Sequence, residues 1–220
     1  MKFVFPFTPS QIGILFLLSL MNPSLVHGTE SHLEKNGWTA ETFKSVDVID
    51  LKIWHKAPVE AESDPKTAGI VFFYGGGSAG GHLAAACALL PTLNDPSDPP
   101  VSCKPNALIL FNPVYDNGPG GYGHDRMKDR WEEISPLHHI DEEAPPNIVF
   151  LGTEDQVMPV ETACYWKAKM EACGVRSELY LYANRKHGFF NGGEDYTDTV
   201  QKMHAFLASL GYLPFLGAPL

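Results

Sequence analysis

Ser78, Asp155 and His187 are the residues whose types and surroundings could do chemistry together. Ser78 sits in Gly76-Gly77-Ser78-Ala79-Gly80, a G-x-S-x-G pentapeptide with an apolar run before it and an Ala/Leu-rich run after it. A serine hydroxyl is a poor nucleophile until a neutral imidazole removes its proton. The imidazole presents the right nitrogen only when a carboxylate holds the other one. Gly152-Thr153-Glu154-Asp155 follows the apolar run NIVFL, and His187-Gly188 comes shortly after ELYLY. Asp155 is preferred to Glu154 because it lies one residue deeper into the turn and is shorter and stiffer. A set of this kind supports acyl transfer through a covalent serine intermediate. Its base works only when neutral, so activity is expected to fall at acid pH. The other histidines are ordinary by position: His138 and His139 form a surface-like pair, and His204 sits on the closing helix. His82, one turn beyond Ser78, is a candidate for lining a substrate pocket, with a packing role as its equal alternative.

The elements that would position these residues are legible from periodicity. Ile70–Tyr74, Ala107–Phe111, Asn147–Leu151 and Ser177–Tyr182 are short apolar or β-rich runs, suited to strands of a covered sheet. Ala79–Leu90 is rich in the best helix formers and predicts a helix directly after Ser78. Its N-terminus, with unpaired N–H groups, would face the reacting centre. Glycines beside Ser78 allow the strained turn that such a strand-to-helix junction requires. A second helix opens at Pro159 and stops at Gly174; a third runs over Asp195–Leu210 and ends at Gly211. Asp125–Glu133 reads as a charged helical piece, and Asn117–Gly123 as a glycine-rich surface loop. Ile49, Leu51 and Ile53 alternate with polar residues as in a half-buried strand. Alternation reverses phase at Val46–Val48, so either the strand starts at Ile49 or a bulge resets it there. Strands alternating with helices predict an α/β domain, a mostly parallel sheet with helices on both faces. In such sheets ligands gather at the carboxyl ends of strands, which is where all three candidates fall.

The chain has 220 residues, the size of one α/β domain, and its 44% apolar content excludes a disordered chain. A formal charge of −10 and the lack of any basic run argue against nucleic acid as a partner. Residues 1–28 carry one charge, Lys2, and an apolar stretch over Ile12–Met21. That stretch is too short to span a bilayer and suits the core of a signal peptide cut after Gly28. The expectation is therefore an exported protein with a mature domain over residues 29–220 and no stable membrane span. Export would permit disulfides among Cys87, Cys103, Cys164 and Cys173. Cys164 and Cys173 fall nine residues apart on one predicted helix, ~13 Å along its axis, and cannot pair there. No Cys-x-x-Cys occurs, so no metal or other cofactor is expected.

The motifs FFYGGG (Phe72–Gly77), GGSAGGHL (Gly76–Leu83), LFNPV (Leu110–Val114), ISPLHHI (Ile134–Ile140), FLGTEDQVMPV (Phe150–Val160) and KHGFFN (Lys186–Asn191) carry a resemblance. From about residue 45 to 210 the chain resembles α/β-hydrolases of the esterase/lipase class related to acetyl esterases, including exported carbohydrate-esterase-like members. The resemblance implies Ser78 as nucleophile, Asp155 as the acid and His187 as the base. It also implies a carboxylic ester as substrate, with a small acyl group on a sugar or other alcohol.

One departure matters. In that family an H-G-G-G-type oxyanion loop and the serine turn follow different strands, with a crossover between them. Here FFYGGG runs straight into GGSAGG, leaving no room for the dozen or more residues a parallel crossover needs. The chain looks like a relative with an internal segment removed. Ala79 is the expected oxyanion donor, with Gly75 and Gly76 as the remaining candidates; those two precede the nucleophile on its own strand, so their N–H groups are expected to point into the ladder or away from the pocket. Lost cover over sheet edges makes self-association an expected liability. Besides an active esterase, the residues admit a catalytically impaired hydrolase-fold remnant, or a serine peptidase of the prolyl-oligopeptidase kind.

Overall fold

The computed structural model describes residues 12–18, 35, 39–46, 49–56, 68–73, 77–93 and 104–213. The chain divides into two units, residues 1–74 and 75–220.

In the first unit, β1 (Ile12–Leu18), β2 (Thr39–Val46), β3 (Ile49–Lys56) and β4 (Ala68–Phe73) form a sheet in the order β2-β3-β1-β4. β2 and β3 are antiparallel, with Val46 opposite Ile49. The phase reversal in the sequence therefore marks a tight return between two strands, and the irregularity in register lies further back, between Thr42 and Lys44. β1 runs antiparallel to β3 and parallel to β4. The apolar run that suits a signal-peptide core thus forms an inner strand here; an apolar heptapeptide fits either role.

The second unit holds the three candidates. Gly77 bridges Phe111 in parallel, Ser78 follows, and α1 (Ala79–Leu89) leads away. β5 (Leu108–Phe111), β6 (Asn147–Gly152) and β7 (Ser177–Tyr182) form a parallel sheet in that order. α2 (His124–Met127) precedes a 3-10 segment, Lys128–Ile134, in place of the one charged helix that the sequence predicts. The break falls at Lys128, whose φ of 49° an α-helix cannot accommodate. α3 (Val160–Ala172) links β6 to β7, and α4 (Gly193–Ser209) closes the unit.

β6 is buried along its whole length, as its unbroken apolar sequence requires. Val149 and Leu151 join one core with Ala85 of α1 and Ala163, Trp166 and Met170 of α3. Trp166 stacks on Tyr115 at 4.0 Å, and its indole N–H donates to Asn147 Oδ1 at 3.1 Å. Asn147 is itself at the buried start of β6, so this bond satisfies both polar groups in the core. α4 contributes buried Met203, Phe206 and Leu207. α3 ends as its sequence predicts: Gly174 takes φ 75°, and the Val175 N–H donates back to Met170 O at 2.9 Å. Cys164 on α3 and Cys173 at its end are both unbridged thiols. Among the described residues no helix is long and apolar enough to cross a membrane.

Candidate active site

Ser78 has φ 53° and ψ −115°, a left-handed conformation costing about 1–3 kcal/mol for a residue with a side chain. Its backbone is tied down on both sides. The Ser78 N–H donates to Phe111 O at 3.0 Å, and its carbonyl accepts from the His82 N–H at 3.0 Å. Two glycines make the close approach possible. A Cβ at Gly77 would lie 2.9 Å from Phe111 O and 2.7 Å from the Phe190 ring; one at Gly81 would lie 2.7 Å from Pro113 Cβ. Ala79 is the first residue of α1, so its N–H lies among those a helix leaves without an intrahelical partner. Gly75 and Gly76 lie outside the described residues.

Asp155 and His187 meet. His187 Nδ1–H donates to Asp155 Oδ2 at 2.7 Å, and the Asp155 side chain is fully buried. Asp155 Oδ1 accepts from the N–H groups of Val157 and Met158 at 2.8 and 3.0 Å. A carboxylate that accepts from three donors is fixed in place. Glu154 is exposed and takes no part in this pairing.

The turns after β6 and β7 are stapled by backbone bonds: Thr153 N–H to Tyr182 O at 2.9 Å and Glu154 N–H to Arg185 O at 2.9 Å. Gly152 is what lets them touch, since a Cβ there would lie 2.2 Å from Arg185 O. Gly188 at φ 80° turns the chain after His187 and delivers Phe190 onto Phe111, ring centres 4.7 Å apart.

Among the described residues no hydrogen bond joins Ser78 to His187. The ring's other nitrogen, Nε2, instead accepts from the Asn112 side-chain amide at 3.1 Å. Asn112 follows β5, is 1% exposed, and also takes the Gly188 N–H on its Oδ1 at 3.1 Å. Nothing in the sequence singles it out, because Asn-Pro after an apolar run is an ordinary strand stop.

His82, His138, His139 and His204 have structural partners. His82 Nε2–H donates to Ile134 O at 2.7 Å, which fastens α1 to the segment before Ser135. His138 shares a 2.8 Å bond with buried Ser135 and lies edge-on to Trp131; burial lowers its pKa. His139 meets Glu132 O at 2.7 Å. Burial likewise lowers the pKa of His204. The glycine-rich loop encloses an open cavity of about 320 Å³ lined by Gly120–Arg126, which includes none of the three candidates.

A parallel sheet flanked by helices, with a serine turn ahead of β5, a carboxylate after β6 and a histidine after β7, defines an α/β-hydrolase-like protein. The chain is α/β-hydrolase-like in fold and similar to esterases and lipases, and beside them it is incomplete in the way a missing internal segment would leave it. The profile of the prolyl oligopeptidase family matches residues 105–211, which include Asp155 and His187 but not Ser78. The "Probable carboxylic ester hydrolase LipM" of Mycobacterium tuberculosis is 30% identical over 62% of this chain and 38% of its own. The propionate-bound structure of the thermophilic esterase Est2 from Thermogutta terrifontis is 34% identical. That alignment covers 73% of this chain and 61% of Est2, with a TM-score of 0.61. Est2 phosphonylated by sarin gives 33% identity, 69% and 59% coverage, and a TM-score of 0.59. The chain thus spans less than two thirds of either relative's length.

Proposed function

We propose that this protein is a serine hydrolase of carboxylic esters with short acyl groups. Ser78 is the nucleophile, His187 the base and Asp155 the residue that orients it. The observation that carries the reading is the hydrogen-bonded Asp155–His187 pair with its carboxylate buried, on turns stapled to each other, together with the strained backbone of Ser78. Est2 bound to propionate, and Est2 phosphonylated by sarin, support a short acyl group and a nucleophile open to organophosphorus reagents. In the reaction His187 Nε2 takes the Ser78 proton, Asp155 stabilises the imidazolium, and Ala79 N–H faces the developing oxyanion. A sugar or other alcohol is the leaving group, no nucleic acid is engaged, and the chemistry calls for no cofactor.

A second reading, a serine peptidase, draws on the prolyl oligopeptidase match over residues 105–211. A panel of p-nitrophenyl esters from acetate to octanoate, run beside prolyl and alanyl anilides, separates the two. Turnover confined to the short esters is expected; cleavage of the anilides alone would replace the ester reading.

Export belongs to the same proposal. Its support is the single charge of Lys2 ahead of the apolar run of residues 12–21. N-terminal sequencing of protein recovered outside the producing cells is expected to begin at Thr29; recovery only inside, starting at Met1, removes this part.

A further inference from the structure

We infer that Asn112 is the positioning residue that fixes which nitrogen of His187 accepts a proton. The inference rests on His187 being the base. It follows from which atoms can donate. The Gly188 N–H can only donate, so the Asn112 atom 3.1 Å from it is the carbonyl oxygen. The amide nitrogen is therefore the atom 3.1 Å from His187 Nε2. An amide NH₂ also only donates, so Nε2 carries a lone pair and the ring proton is on Nδ1. That proton is the one given to Asp155 Oδ2 at 2.7 Å. Tautomer and ring plane are thus set from both edges: Asp155 holds the protonated nitrogen and Asn112 holds the basic one.

A carboxamide is suited to this place as other side chains are not. It accepts from a backbone N–H with one end and donates to an imine nitrogen with the other. Aspartate would accept at both ends, and leucine would do neither. Asn112 also stands in the left-handed region, at φ 34°, which asparagine tolerates better than most residues with a side chain. Its backbone N–H is fixed to Phe150 O at 2.8 Å, so the amide reaches the ring from a buried, anchored position.

The amide also lies against the serine turn. A Cβ placed on Gly77 would come within 3.3 Å of Asn112 Nδ2. The lone pair that Asn112 occupies is the one that must take the Ser78 proton, so the hydroxyl displaces the amide as the reaction begins. Until then Asn112 holds the lone pair on Nε2 beside the nucleophile's own turn. The charged groups around the ring are few. Asp155 faces it from the turn after β6, and Lys186 and Arg185 lie on its own loop, with Arg185 paired to Asp195 at 2.6 Å. The serine turn and the end of β5 contribute Ser78 and Asn112, both uncharged.

The test is Asn112→Asp against Asn112→Leu in protein carrying ¹⁵N-labelled histidine. Ring ¹H–¹⁵N spectra are followed across pH, with the rate of fluorophosphonate labelling measured in parallel. The parent is expected to show His187 as the Nδ1–H tautomer when neutral. Asn112→Asp keeps an acceptor for Gly188 but sets an oxygen against Nε2, which favours the doubly protonated ring. Its titration is expected to move up by about one pH unit or more relative to the parent. Labelling near neutrality should then fall about tenfold and recover as the pH is raised. Asn112→Leu is expected to lose labelling at every pH, with both tautomers populated and no upward displacement. Identical behaviour of the two variants, which a purely structural asparagine predicts, overturns the inference. So does an Nε2–H tautomer in the parent, a result that stands even if neither variant folds. Because the spectra need no turnover, an unlabelled parent would sink the nucleophile and leave the role of Asn112 measurable.

Discussion

Ser78→Ala abolishes labelling by a fluorophosphonate and lowers ester turnover by roughly 10⁴-fold or more, the scale seen when a triad nucleophile is removed. The fold should not notice. The turn is held by backbone bonds from Ser78 N–H to Phe111 O and from His82 N–H to Ser78 O, which the substitution keeps. Among the described residues no hydrogen bond of the Ser78 hydroxyl helps to hold the fold. The loss of one oxygen should therefore shift stability by less than about 1 kcal/mol. The measurement pairs labelling stoichiometry with a thermal melt. Full labelling of the alanine variant excludes Ser78. Loss of labelling with a collapsed melt would show instead that the turn had failed.

The second large effect concerns the oxyanion. A tetrahedral intermediate needs about two donors at its O⁻, and removing one elsewhere costs ~10²–10³ in turnover. Gly77 is committed to a sheet bridge with Phe111, and Ser78 N–H to Phe111 O. Among the described residues, Gly77 and Ser78 thus belong to the ladder, leaving Ala79 N–H as the donor this turn supplies. Inserting a relative's crossover between Gly76 and Gly77, with its own donor loop, is expected to raise turnover by ~10²–10³ at equal active-site titre. The comparison is made per labelled serine, so that differences in folding yield cancel. Equal turnover of parent and repaired chain would mean another group already fills the hole.

Residues that end an element, or follow one, are legible in the sequence. Gly174 and Gly211 stop their helices because only glycine takes their positive φ readily. The serine turn, Asp155 and His187 can be placed because each follows a run whose period declares it a strand. Contacts between turns distant in sequence are not legible. Gly152 looks like any glycine after a strand until Arg185 O is found against it. Asn112 carries no periodicity; its meaning comes from Gly188, 76 residues on. The break at Lys128 escapes sequence reading for a different reason: the charged run around it has good helix propensity, and tertiary structure overrides propensity of that size.

β1 has one more consequence. Ile12–Leu18 lies between β3 and β4 and pairs with both. A peptidase cutting after Gly28 would take this strand with it, and the two neighbours would lose the element that joins them. A chain that has folded this way would hold the segment proposed above as an export signal inside a sheet. Under the export proposal, secretion and assembly of the first unit would be competing fates of one segment, decided by whether the export machinery or the sheet captures it first.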